Sequence, residues 1–147
     1  MRDSHEESIN CPIAEVFSFI ADGENNSKWR SGVISIEKTS NDDVGLGSSY
    51  AQVLSGPGGR RIDGDYVITR FEKPTCIEFR VTAGPARPEG RFNLVPVNDS
   101  TTTVSFSLDL EPKGMMKLMS PMIKKQLRAE TRQLSKLKEV LESAANH

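Results

Sequence analysis

The sequence predicts an α+β protein in which one curved antiparallel sheet wraps around a long C-terminal helix. Two changes of hydrophobic period carry that expectation. From Val33 to Leu110 apolar residues alternate with polar ones, and clusters of glycine, proline, asparagine and aspartate separate the alternating runs. From Met119 to Leu141 the apolar residues recur instead at spacings of three and four, as on one face of a helix. A shorter helical pattern precedes the first of these runs, so the expected sheet has six to seven strands with one or two short helices after the first strand.

His5 to Asn10 reads as a short strand. Pro12 suits the first position of a helix, because its φ is locked and its missing N–H would find no helical partner there anyway. Ile13, Val16, Phe17 and Ile20 follow at i, i+3, i+4 and i+7 and share a face. The turn-rich stretch ADGENNSKWRSG surrounds the only tryptophan, Trp29, and leaves room for one further helical turn near Ser27 to Arg30. Strand candidates then run over Val33 to Lys38, Ser49 to Leu54, Arg60 to Phe71, Cys76 to Ala83, Arg91 to Val97 and Thr102 to Leu110. Ile77, Phe79 and Val81 alternate with Glu78, Arg80 and Thr82, while Val104, Phe106, Leu108 and Leu110 alternate with Ser105, Ser107 and Asp109, so each strand has one apolar and one wet face. In the final helix the inward stripe is Met119, Ile123, Leu127, Glu130, Leu134, Leu137 and Leu141. Ser120 before Pro121 reads as an N-cap followed by a first-turn proline, which sets residues 114–119 apart as a separate turn.

The 147 residues suit one domain, 1–147, with enough chain to bury a core without a disulfide framework. No apolar run approaches the roughly 20 residues of a membrane span, and MRDSHEES lacks the apolar centre of a signal peptide, so a cytoplasmic location is expected. Cys11 and Cys76 have no metal-like spacing with each other or with His5 and His147, and read as two buried or half-buried thiols. A net charge of −1 argues against nucleic-acid binding by bulk electrostatics. The basic residues Lys113, Lys117, Lys124, Lys125, Arg128, Arg132, Lys136 and Lys138 are opposed only by Glu130; such a face suits anionic lipid or an acidic ligand, and equally a solvated helix surface. A monomer or weak homodimer is the expected state.

Four stretches carry a resemblance to a known family. CPIAEVFSFIADGENNSKWRSGV near the start, VGLGSSY opening the second long strand, YVITRFEKPTCIEFR in the middle and TTTVSFSLDLEPKGMMKLMSPM running into the last helix together resemble the SRPBCC superfamily, in particular its polyketide cyclase/dehydrase-like branch. The helix-grip fold of that superfamily is shared by START lipid-transfer domains and the birch-pollen allergen. The resemblance implies an apolar cavity between the sheet and the long helix, occupied by a lipid, sterol-like or polyketide-like molecule. Within it, Met115, Met119, Met122 and Ile123 would form a deformable lid or wall, because methionine adapts to variable apolar partners; ordinary core packing is the competing reading. Phe79, Phe92, Leu94, Phe106 and Leu108 would form the opposite wall, and Trp29 would lie near the mouth or in the core. Tyr50, Gln52 and Tyr66 sit on strand faces whose direction depends on register, and Gln126 offers one polar handle.

Reactive chemistry is sparse. His5 and His147 lie at the polar ends, which disfavours a Ser-His-Asp or Cys-His arrangement and a histidine-based metal site; no cofactor or metal is expected. Asp63 and Asp65 alternate with apolar neighbours and point most simply to solvent, and Glu89 sits between Arg87 and Arg91 as in a surface ion-pair cluster. SGPGGRR lacks the Lys-Ser/Thr of a phosphate loop and lies where a hairpin turn is expected. No catalytic motif of the family can be matched residue by residue, so catalytic residues stay unassigned. The leading functional expectation is binding of a hydrophobic small molecule, which needs an interior not filled by the protein's own side chains. The alternatives are a cyclase/dehydrase-type enzyme using the same cavity, which needs an inward-facing Tyr, Arg, Asp or Glu, and a protein-interaction module of the chaperone-activator type.

Overall fold

The computed structural model describes residues 1–145, and His147 lies outside them. The chain opens with strand β1 (Arg2–Ile9), helix α1 (Ile13–Ala21), a 3-10 turn (Gly23–Asn25) and the single-turn helix α2 (Asn26–Trp29). Strands β2 (Val33–Lys38), β3 (Ser49–Ser55), β4 (Arg61–Asp63), β5 (Tyr66–Glu72), β6 (Cys76–Val81), β7 (Glu89–Asn98) and β8 (Thr101–Asp109) follow. A 3-10 segment (Gly114–Met119) leads into α3 (Ser120–Arg132) and α4 (Leu134–Ala145). All strand pairs are antiparallel, in the order β1-β8-β7-β6-β5-β3-β2 with β4 beside β3. This is the α+β helix-grip arrangement: a curled sheet around the C-terminal helix, with the short helices after β1.

Register decides which side chains meet. Phe92 is paired with both Ile77 and Phe106, and Tyr50 with Tyr66, so these side chains share the inner face. Gly90 lies between Phe79 and Leu108, and a Cβ there would collide with the Phe79 ring; glycine is what lets that ring lie flat across the strand. Val16, Phe17 and Ile20 of α1, together with Leu134, Leu137 and Leu141 of α4, complete the core against the sheet.

Four details differ from the sequence-based expectation, each for a local reason. The long strand from Arg60 to Phe71 is two strands: the Gly64 N–H donates to the Gln52 carbonyl at 2.7 Å, and the Asp65 carboxylate accepts the Gln52 N–H at 3.1 Å. That carboxylate stands in for a strand carbonyl, so the ladder breaks there. The final helix is divided at Gln133, whose N–H reaches back only three residues to Glu130 while its backbone stays helical. Ser120 already has helical dihedrals, and its hydroxyl donates to the Lys117 carbonyl at 2.7 Å; it ties the 3-10 segment to α3 and does not act as the N-cap. Strand β1 begins at Arg2, three residues before the expected start, because its inward positions are polar. Asp3 accepts a hydrogen bond from the Thr131 hydroxyl, Glu7 accepts one from Ser135 at 2.7 Å, and His5 hydrogen-bonds Glu7 at 3.1 Å.

Leu137 is fully buried, so Leu137→Ala leaves a cavity in the core. We expect a loss of about 2–5 kcal/mol, read as a lower urea midpoint with an unchanged slope.

Candidate functional site

The interior is organised by one run of aromatic rings. Tyr50 stacks on Tyr66 at 5.0 Å, Tyr66 leans on Phe79 at 5.3 Å, Phe79 approaches Phe92 at 6.1 Å, and Phe92 stacks on Phe106 at 4.4 Å. Trp29 closes the run, edge-on to Phe92 at 6.0 Å and to Phe106 at 5.9 Å. The strands fix the ring positions through their register; α2 supplies the tryptophan because a single helical turn aims Asn26, Trp29 and Arg30, at i, i+3 and i+4, to one side.

Polar groups gather at one end of this run. The Asn26 side-chain amide donates to the Tyr66 hydroxyl at 3.1 Å and to Gln52 Oε1 at 3.3 Å, and Gln52 Nε2 donates to the Gly64 carbonyl at 3.3 Å. The Tyr50 hydroxyl accepts from the Gly23 N–H at 3.3 Å. Gly23 has no room for a Cβ, which would meet the Tyr66 hydroxyl and the Tyr50 ring. Arg30 is buried and donates through Nη2 to Glu130 Oε2 at 3.0 Å, while Gln126 Nε2 holds the other carboxylate oxygen at 3.4 Å. Trp29 Nε1 and Arg30 Nε are buried donors with no acceptor among the described protein groups.

Between these groups lies a cavity of about 20 Å³, bounded on its polar side by Asn26, Arg30 and Tyr66 and on its apolar side by Ile68, Ile77 and Phe92. It has room for about one water molecule. This space is far narrower than the wide apolar cavity implied by the resemblance, and Tyr66, Phe79 and Phe92 of the aromatic run line it together with Ile68 and Ile77. A second, open groove of about 440 Å³ lies on the surface between the β6–β7 connection and the end of β8, lined by Arg87, Glu89, Asp109, Glu111, Lys113 and Met116.

The residues singled out from sequence separate into three groups. Tyr66, Phe79 and Phe92 border the cavity. Trp29, Tyr50, Gln52, Leu94, Phe106 and Leu108 are buried behind it in the same core. Met115, Met119, Met122 and Gln126 are on the surface and do not border it, while Ile123 is partly buried against the core. The physical reason is that Met115 and Met119 fall in the 3-10 segment, which buries no side chain, and Met122 in the exposed first turn of α3, while the inward positions of α3 are Leu127 and Thr131. Asn26, Arg30 and Glu130 were not recognised as site residues. Their signals were present: Asn26 and Arg30 flank Trp29 at helical spacing, and Glu130 interrupts an otherwise apolar inward stripe, where a carboxylate requires a partner.

Burial raises the Tyr66 phenol far above its ordinary pKa, with the neighbouring Tyr50 adding to the shift; Tyr50 is raised by burial too, against an opposing hydrogen bond from Gly23. Both are therefore neutral at physiological pH. Because Tyr66 accepts from Asn26, its own O–H is free to donate toward the cavity. The site thus offers a neutral phenol donor, an amide and a guanidinium side by side, which suits an oxygen acceptor such as a carbonyl or carboxylate. Cys11 is buried, its thiol pushed up to about 11 by burial and by the adjacent Glu15, and neither Cys11 nor Cys76 is in a disulfide. No three His, Cys, Asp or Glu side chains among the described residues converge to hold a metal ion.

The fold and this buried, aromatic-lined centre define a START-like protein of the SRPBCC superfamily. Residues 2–142 match the family described as polyketide cyclase / dehydrase and lipid transport, and the chain belongs to it. Among solved structures it resembles TTHA0849 from Thermus thermophilus, with a TM-score of 0.82 at 19% identity over 98% of this chain and 99% of that one. It also resembles a START superfamily protein from Mycobacterium smegmatis, with a TM-score of 0.74 at 19% identity over 99% of this chain and 97% of the other. The di-domain ARO/CYC BexL from the BE-7585A biosynthetic pathway matches with a TM-score of 0.71 at 15% identity, over 100% of this chain and 48% of that one. These likenesses establish the fold. A search of curated proteins finds no match.

The tyrosines give a pH test. The folded state holds the Tyr66 proton more tightly than the unfolded chain, whose phenol titrates near 10.0. Stability from this group is therefore complete below that pH and declines as pH rises through it, by up to about 1.4 kcal/mol per pH unit for each tyrosine. Denaturation between neutral and strongly alkaline pH should show the decline, and Tyr66→Phe should make it shallower.

Proposed function

We propose that the protein binds a small, largely apolar molecule carrying an oxygen acceptor at one end, in the interior of the grip, starting from the cavity that Ile20 and Ala21 of α1, Asn26 of α2 and Arg30 just after it close against β5, β6 and β7, and extending toward the C-terminal helix through the Arg30–Glu130 pair. The observation that carries this reading is the pair of buried donors beside one internal cavity, the O–H of Tyr66, which Asn26 leaves free by donating to its oxygen, and Arg30 with its unpartnered Nε. Buried donors without acceptors are costly, at about 1–3 kcal/mol each, and an acceptor on a ligand would remove that cost. Around the donors the walls are aromatic and aliphatic, the usual composition of a small-molecule site. Family membership supports the same reading, since the family's description includes lipid transport.

The cavity of about 20 Å³ is far below the roughly 300–1,000 Å³ of ordinary ligand sites, so binding requires the grip to open. The element suited to move is the proximal part of the last helix. Its 3-10 segment buries no side chain completely and α3 buries only Leu127 and Thr131, whereas α4 is held by Leu134, Leu137 and Leu141. In this reading the ligand displaces the proximal helix from the sheet and leaves the distal half in place.

Native mass spectrometry beside a denatured control should reveal a co-purified apolar mass. Titration with fatty acids, sterols and polycyclic aromatics should change Trp29 fluorescence saturably, because the indole abuts Phe92 on the cavity wall. Arg30→Gln should weaken the response by about tenfold or more for ligands with a carboxylate, the value of a charge-assisted hydrogen bond, and less for neutral ones. No mass and no response across the panel would remove the binding reading.

One observation favours a second reading, enzymatic turnover of such a ligand. A neutral tyrosine O–H and a guanidinium flank the same cavity, as required to protonate or stabilise the oxygen of an enolate during aldol closure or dehydration of a polyketone. Under this reading Tyr66→Phe lowers the turnover rate by about 10²-fold or more while ligand affinity changes little. Equal loss of affinity and rate would reduce Tyr66 to a binding residue.

A further inference from the structure

Four of the largest exposed apolar side chains belong to one short segment: Met115 is 83% exposed, Leu118 82%, Met119 47% and Met122 53%. Met115, Leu118 and Met119 belong to the 3-10 segment, which buries no side chain, and Met122 to the exposed first turn of α3, whose buried side chains are Leu127 and Thr131. Methionine and leucine side chains held in water over two turns gain nothing for the fold, since the core contacts of this region come from Met116, Ile123 and Leu127 instead.

The surrounding charge is equally uneven. Lys113, Lys117, Lys124, Lys125 and Arg128 are all exposed, and residues 113–128 contain no acidic residue, in a chain whose net charge is −1. None of the five makes an ion pair within the described residues, whereas Lys136 and Lys138, farther along the same helix, pair with Glu139 and Glu142. The proximal segment therefore presents uncompensated positive charge around an apolar ridge.

We propose that residues 113–128 form a docking surface for an anionic lipid bilayer. Met115, Leu118, Met119 and Met122 enter the interfacial region of the bilayer, and the flanking lysines and Arg128 pair with acidic headgroups. The combination of a basic polar side and an apolar ridge on one helical segment is what lies stably in a membrane interface. No helix among the described residues is long and apolar enough to cross a membrane, so this attachment is peripheral. Four exposed side chains are few for a stable protein interface, which buries roughly 1,000 Å² or more, while a fluid bilayer needs no matching pocket. Docking goes beyond the interior ligand site and stands without it: it depends on surface side chains, none of which borders the cavity.

The test is co-sedimentation of the full chain with vesicles of phosphatidylcholine, with and without phosphatidylserine. We expect pelleting with the acidic vesicles, little with the neutral ones, and release by high salt. Lys124→Gln/Lys125→Gln should weaken binding by about thirtyfold, since each surface cation contributes about fivefold near an acidic bilayer. Leu118→Ser/Met122→Ser should weaken it as well, with unchanged Trp29 fluorescence showing that the buried core is intact. Failure to pellet, equal pelleting with both vesicle types, or unchanged binding by both double variants would overturn the proposal. Loss of vesicle binding on adding polyglutamate, together with tighter binding to that polymer than to the vesicles, would also overturn it and assign the surface to an acidic protein.

Discussion

The edge-on contact of Trp29 with the stacked pair Phe92 and Phe106 holds a one-turn helix to the centre of a sheet. A helix of that length has no stability of its own, so its position comes entirely from what its tryptophan buries. The polar cluster around Tyr66 follows from that anchor. Asn26 and Arg30 lie three residues before and one after the indole, which sets the amide on Tyr66 and Gln52 and directs the guanidinium to Glu130 on the last helix. A single aromatic insertion thus aligns the sheet, the short helix and the gripping helix on one polar cluster.

The gripping helix has two parts with different duties. Beyond Gln133 its leucines are buried and its lysines paired, as in an element whose task is to hold the core. Before Gln133 Met115, Leu118, Met119 and Met122 are exposed and the lysines are unpaired, and the segment is tied to the interior by Leu127, by the Thr131 hydroxyl on Asp3 and by the Arg30–Glu130 ion pair, supported by Gln126. A buried ion pair of this kind contributes little net stability while it is intact, yet it is costly to strip of one partner. Arg30 thus joins the buried cluster around Tyr66 to the proximal part of the last helix through one side chain.

Much of this architecture could be read from hydrophobic period alone. The alternation in β6 and β8 and the three-four spacing of the last helix are direct signatures of burial on one face, and the structure keeps both. Strand β1 was only half legible, because Asp3 and Glu7 meet hydroxyl groups of the helix and His5 pairs with Glu7, which leaves no apolar alternation to detect. The break at Asp65 was hidden for a similar reason: a side chain took the place of a backbone partner. The aromatic wall was visible as residue types, but whether it enclosed an open space depended on ring packing that no spacing records. The methionines were conspicuous from the start, yet Met115 and Met119 fall in a 3-10 segment, whose rotation differs from that of an α-helix by about 20° per residue.

The pairing of β1 with β8 joins segments about a hundred residues apart, so the first strand of this chain is the last to find its neighbour as the polypeptide leaves the ribosome. Until Thr101–Asp109 has been made, RDSHEESI has no ladder to complete. An apolar strand waiting that long would recruit other unfinished chains. A strand carrying Asp3, Glu6 and Glu7 repels them, and its scarcity of hydrophobic residues, which blurred it as a strand, protects the nascent protein from aggregation during synthesis.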